Sequence, residues 1–114
     1  MKYIKTYEKI IEDIDYVPQR GDFVICEETV NNRDEELKDF LAHTIGEYMF
    51  PARSENPRLH SVKYDDIPYW EKSKYNFTKK GKFYMRNFYR REIKYISKKK
   101  ADLEEILALK KYNL

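Results

Sequence analysis

Between Lys79 and Lys100 the chain sets cations and flat rings side by side: Lys79, Lys80, Lys82, Arg86, Arg90, Arg91, Lys94, Lys98, Lys99 and Lys100, with Tyr84, Phe88 and Tyr89 among them. Ammonium and guanidinium groups neutralise phosphates, and aromatic faces stack bases at about 1–3 kcal/mol each. These residues are therefore read as a nucleic-acid contact set, with RNA, DNA or a nucleoprotein complex as the partner. The competing explanation of the same residues is structural: the rings build the core, and the cations solvate the opposite sides of the strands.

A second constellation has residue types suited to hydrolysis. Asp65 and Asp66 close one segment, and Glu92 and Lys94 form an E-x-K pair in a later one. In a magnesium-dependent nuclease such carboxylates would hold the metal, while the lysine oriented water or stabilised charge. E-x-K arises readily by chance in a chain that is 38% charged, so the expectation is a non-enzymatic module, with the nuclease using Asp66, Glu92 and Lys94 as the alternative. His43 and His60 have no Cys or His at zinc-ligand spacing. Cys26 lies in an apolar run, where an inert buried thiol is expected. Gly21, Gly46 and Gly81 stand apart from one another and make no phosphate-cradling loop. No metal and no cofactor are expected.

The charge behind these motifs is divided along the chain. Residues 71–114 hold 14 Lys/Arg against 5 Asp/Glu, whereas residues 1–70 hold 9 against 15, and the formal net of +3 conceals the division. Glu27, Glu28, Asp34, Glu35, Glu36 and Asp39 give the first part an acidic surface, read as a solvated face or as a contact for a basic protein. At 114 residues the chain is expected to be one domain spanning 1–114, acidic over 1–70 and basic and aromatic-rich over 71–114. Its mean hydropathy of −0.90 leans toward disorder, and its 16% aromatic content argues back toward a packed core. The lone cysteine fits a reducing compartment. No run reaches the length of a membrane span or a signal peptide, so a soluble cytoplasmic protein is expected, with no membrane partner.

The elements that must position these residues follow from periodicity. Tyr3 to Ile14 reads as an amphipathic helix ending by Pro18, although a strand at Lys2 to Thr6 with a helical turn fits the same residues. Phe23 to Cys26 reads as a strand after a Gly-Asp turn. Asn31, Asn32 and Asp34 are candidate caps for a helix over 34–43. Residues 45–50 read as a strand, 51–59 as a polar loop, and 60–68 as an alternating strand that stops at Pro68. A helical turn is expected over 69–75, then a hairpin at Lys80-Gly81 and a strand over 90–97. Ser97 would cap a final helix whose stripe is Leu103, Ile106, Leu107 and Leu109, with Glu104 and Glu105 early and Lys110 and Lys111 late.

The run "GDFVICEE", then "IGEYMF", then "HSVKYDDIP" resembles the start of an SH3-like barrel. The closing "EIKYISKKKADLEEIL" is similar to the ending of many small uncharacterised proteins from phages and low-GC bacteria. The resemblance implies a module that grips a peptide or nucleic acid on a barrel face. It also implies, as one origin, a phage-encoded inhibitor of a host system, anti-CRISPR-like, acting in the bacterial host cytoplasm. The expected fold is α+β: a small SH3-like β-barrel or curled antiparallel sheet with an inserted short helix and a C-terminal helix. The rival function is a protein-binding or oligomeric phage module whose acidic and basic regions pair between subunits.

Overall fold

Phe23–Cys26 is β-branched and aromatic, and it forms strand β1 in the computed structural model, which describes residues 10–27, 35–51, 59–67 and 77–112, with side chains through Leu109. It is followed by helix α1 (Glu35–Ala42), strands β2 (Gly46–Pro51), β3 (Leu59–Tyr64), β4 (Thr78–Lys80) and β5 (Phe83–Tyr89), a 3-10 turn (Arg90–Glu92), strand β6 (Ile93–Ser97) and helix α2 (Lys100–Tyr112). All strand pairs are antiparallel in one six-stranded sheet of order β4-β5-β3-β2-β1-β6. The protein is therefore α+β.

The sheet curls but is not closed. A flat path from β5 to β6 would cross four strand spacings, about 19 Å, yet only the 3-10 turn joins them, and three such residues rise about 6 Å. Among the described residues β5 and β6 share no ladder. The inside of the curl holds the main core: Val24, Cys26, Tyr48, Val62, Tyr64, Tyr84, Phe88, Ile93 and Ile96, covered by Leu37 and Leu41 of α1 and by Phe77. Phe40 of α1 meets the Tyr64 ring at 5.8 Å and the Phe77 ring edge-on at 6.1 Å. Gly46 is required by closeness: a Cβ there would lie 2.5 Å from Val62 Cγ1. The buried Tyr64 hydroxyl lies beside the Cys26 thiol without a well-aligned partner, and burial pushes that thiol up to about 12.

The outer face is divided. Helix α2 lays Leu103 and Ile106 on Ile25 and Ile10, flanked by Phe23 and Tyr95, so the β1–β6 half is covered. Leu103, Ile106 and Leu107 of the expected α2 stripe pack there, whereas Leu109 is 40% exposed because the helix end passes beyond the sheet's apolar patch. Ser97 serves its entrance differently from a simple cap: its hydroxyl donates to Asp102 Oδ2 at 2.6 Å and accepts from the Lys99 N–H at 3.1 Å.

The strands expected at 45–50 and 60–68 form, although β2 extends through Pro51 and β3 ends at Tyr64. The hairpin is at the expected Gly81, whose φ of +65° supplies the left-handed turn. The last expected strand begins later, at Ile93, because Arg90–Glu92 is a 3-10 turn. The first expected helix is not continued into Ile11, which is extended there. Its N–H donates to Ile96 O at 2.7 Å and its carbonyl accepts from Ile96 N at 3.0 Å, because the edge of β6 needs partners for its backbone. Tyr3 to Lys9, the caps at Asn31, Asn32 and Asp34, residues 52–58, the turn expected over 69–75 and the Lys110 and Lys111 side chains lie outside the described residues.

Candidate nucleic-acid interface

Strand β5 sends alternate side chains to opposite faces, and its pairing with β3 decides which face each takes. Tyr84, Arg86 and Phe88 stand opposite Tyr64, Val62 and His60 on the inner face. Phe83, Met85, Asn87 and Tyr89 share the outer face with Lys63, Ser61 and Leu59. Tyr84 and Phe88, expected to stack bases, are core residues instead: Phe88 is fully buried, and its ring meets Tyr64 at 6.4 Å. Arg86, expected on a phosphate, is only 8% exposed, with its guanidinium over the Phe88 ring at 4.8 Å and the Phe77 ring at 5.9 Å. The physical reason in each case is parity, since one residue along a strand exchanges core for solvent.

Arg90 is a clamp. Its Nε donates to Tyr16 O at 3.0 Å, Nη1 to Ile93 O at 2.9 Å and Nη2 to Asp13 O at 2.7 Å, tying residues 13–16 to the start of β6. Burial lowers its pKa from the ordinary arginine value. Arg91 is exposed, with its guanidinium 4.6 Å from the centre of the half-buried Tyr89 ring.

The remaining cations separate into two sets. Lys79, Lys80 and Lys82 are exposed on β4 and the hairpin turn, at one edge of the sheet. Lys94, Lys98, Lys99 and Lys100 belong to the far edge, and acids of the first part already engage two of them. Lys94 pairs with Glu27 at 3.5 Å. Lys98 donates to Asp22 Oδ1 at 2.6 Å and to Gln19 Oε1 at 3.1 Å, and the Asp22 bond, first among its causes, raises the Lys98 pKa. Asp22 is 1% exposed, and its Oδ2 also accepts from Tyr16 Oη at 2.8 Å and Gln19 N at 2.9 Å. The cations of the 79–100 stretch are therefore split between two edges of the sheet.

Helix α2 does not cover the half of the outer face built by β3 and β5. Lys63 Nζ stands 4.9 Å above the half-buried Phe83 ring, and Lys80 lies directly opposite Phe83 on β4. Further along the same face, Ser61 donates to Asn87 Oδ1 at 2.7 Å. Tyr89 with Arg91 ends the row, about 20 Å from Phe83 at the rise of a strand. Sequence reasoning missed Lys63 and Phe83 as site residues. The signal was available in the phase of Val62 and Tyr64, whose apolar character fixes the inner face of β3 and so, across the ladder, that of β5.

The nuclease constellation is not assembled. Glu92 is buried, and its Oε1 accepts from the Tyr89 N–H at 2.8 Å. Asp66 follows β3 at the Tyr84 end of β5, and Glu92 follows the Tyr89 end, so a strand length separates them. Asp66 Oδ1 accepts from the Ile67 N–H at 2.9 Å, and Lys94 is held by Glu27. Among the described residues no group of three or more His, Cys, Asp or Glu side chains gathers to hold a metal ion. His43 Nδ1 hydrogen-bonds Asp39 O at 2.8 Å just beyond α1, and His60 Nδ1 shares a 2.8 Å hydrogen bond with Tyr48 Oη. Among the described residues no helix is long and apolar enough to cross a membrane. Comparison with protein-family models, with curated proteins and with solved structures gave no match.

Proposed function

We propose that this protein is a non-enzymatic binding module that holds single-stranded nucleic acid along the half of its outer sheet face on which helix α2 does not lie. The observation that carries this reading is the pairing of partly exposed rings with cations on one face of β5: Phe83 beneath Lys63, and Tyr89 beside Arg91. A row about 20 Å long, with rings near both ends and cations over them, suits a short run of unpaired nucleotides better than a duplex, whose bases are already stacked on one another. The chain order around the curl supports an SH3-like module, with β1 between β2 and β6 and a 3-10 turn leading into the last strand. An origin as a phage-encoded inhibitor of a host nucleic-acid machine would use the same row and rests on the sequence resemblance.

The test is fluorescence anisotropy with single- and double-stranded RNA and DNA across a salt series. Single strands are expected to bind best. If Lys63, Lys80, Lys82 and Arg91 each reach a phosphate, log K should fall with log salt at a slope of about −3. No binding of any of them at about 50 mM salt overturns the reading. Salt-insensitive self-association without nucleic-acid binding would replace it with the oligomeric module.

A further inference from the structure

We propose that the open cavity walled by Ile14, His60, Tyr89, Arg90 and Arg91 is a pocket for the phosphorylated terminal nucleotide of the bound strand. The cavity holds about 350 Å³, within the range of small-ligand sites. Tyr89 is both the end of the β5 row and part of the cavity wall, so the end of a strand lying along that row would meet the cavity.

The wall has the two chemistries that a nucleotide monophosphate needs. One is fixed positive charge. Arg90 is immobilised by the neutral carbonyls of Tyr16, Ile93 and Asp13; the Asp13 and Asp15 charges lie near enough to act on it, but among the described residues no carboxylate forms a direct ion pair with it. A guanidinium has five N–H donors, so two on Arg90 are not taken up by these three bonds. Arg91, the next residue, adds an exposed guanidinium steadied on Tyr89. Two adjacent arginines suit a phosphate monoester, whose second ionisation gives it more charge than an internal diester.

The other chemistry is an apolar surface. Ile14 is 54% exposed although it is a large aliphatic residue, and it lines the cavity together with Tyr89, where a base can cover it. The hydrogen bond that His60 Nδ1 shares with Tyr48 Oη holds the imidazole in place. Burial and then the Arg90 charge lower the His60 pKa, so the cationic part of the wall is the arginine pair. The site stands on the cavity, and the assignment of a nucleotide as ligand rests on the strand-binding reading above.

The experiment is an NMR titration of the full chain with adenosine 5′-monophosphate, adenosine 3′-monophosphate, adenosine and inorganic phosphate, with oligonucleotides with and without a terminal phosphate run in parallel. One of the two monophosphates is expected to bind about tenfold or more tightly than adenosine or phosphate alone, shifting the Ile14 methyl signals and the Tyr89 and Arg91 amides. Ile14→Glu, which places an anion in the wall, and Ile14→Trp, which fills the cavity without charge, are both expected to abolish that binding with an unchanged melting curve. Absence of binding at about 5 mM nucleotide, equal affinity for adenosine, or shifts confined to other surfaces overturns the pocket. The two readings fail separately. Oligonucleotide binding without monophosphate binding overturns the pocket alone, whereas monophosphate binding without oligonucleotide binding upholds the pocket and overturns the strand-binding row.

Discussion

Among the described residues, the two halves of the outer sheet face differ in whether helix α2 lies on them. On the β1–β6 half, Phe23, Ile25 and Tyr95 lie under Leu103 and Ile106 and belong to a second small core. On the β3–β5 half, Phe83 and Tyr89 occupy equivalent outward positions and meet cations, and among the described residues no helix lies on them. An aromatic residue on a strand thus has no fixed role in this protein. The cover decides whether its ring stabilises the fold or faces a partner.

The largest blow to that comparison should come from the covered side. Leu103→Ala leaves a cavity under α2 and is expected to cost about 2–5 kcal/mol in urea denaturation; a change near zero would mean that α2 contributes little to the fold. Next is the inner face, where Gly46→Ala forces its new methyl toward Val62 and the Tyr64 ring and is expected to cost about 1–3 kcal/mol in thermal or urea unfolding. Phe83→Ala on the uncovered side should behave in the opposite way. Its effect on stability is expected to stay within about 1 kcal/mol, while anisotropy should show single-strand affinity falling about five- to tenfold. A large loss of stability there would make Phe83 a structural residue and erase the contrast between the halves.

The smallest effect concerns His60, on β3 at the rim of the cavity. Its pKa is lowered from 6.5 by burial and then by the Arg90 charge, so the unfolded chain binds this proton more readily than the folded one. Its stabilising contribution is therefore present above pH 6.5 and is lost as pH falls through the lower folded value. Melting temperatures measured from pH 8 to pH 4.5 should fall across that window more steeply in the native chain than in His60→Gln.

Much of the architecture was legible because local chemistry and tertiary structure agree. Phe23–Cys26 is a strand by composition, Leu37, Phe40 and Leu41 make a helical stripe, and Gly81 marks the hairpin. The site was less legible because face assignment is a property of pairs of strands. Read alone, "FYMRNFY" offers aromatics at both parities, and only its register with β3 separates Tyr84 and Phe88 from Phe83 and Tyr89. Arg90 and Lys98 looked like free cations for a related reason. Their partners, Asp13, Tyr16 and Asp22, lie more than seventy residues away in sequence, and no short-range pattern announces such contacts.

The pairing of β1 with β6 also governs the order in which the chain becomes a protein. Phe23 waits for Ser97, and the buried carboxylate of Asp22 waits for Lys98. As the polypeptide leaves the ribosome, β2 and β3 can meet early, but one edge of β1 stays open until β6 has been made. Closing so long a loop is slow relative to forming local hairpins. During that interval Val24, Ile25 and Cys26 are an unpaired apolar edge, and synthesis rate and chaperone access should control yield more strongly than the stability of the finished fold does.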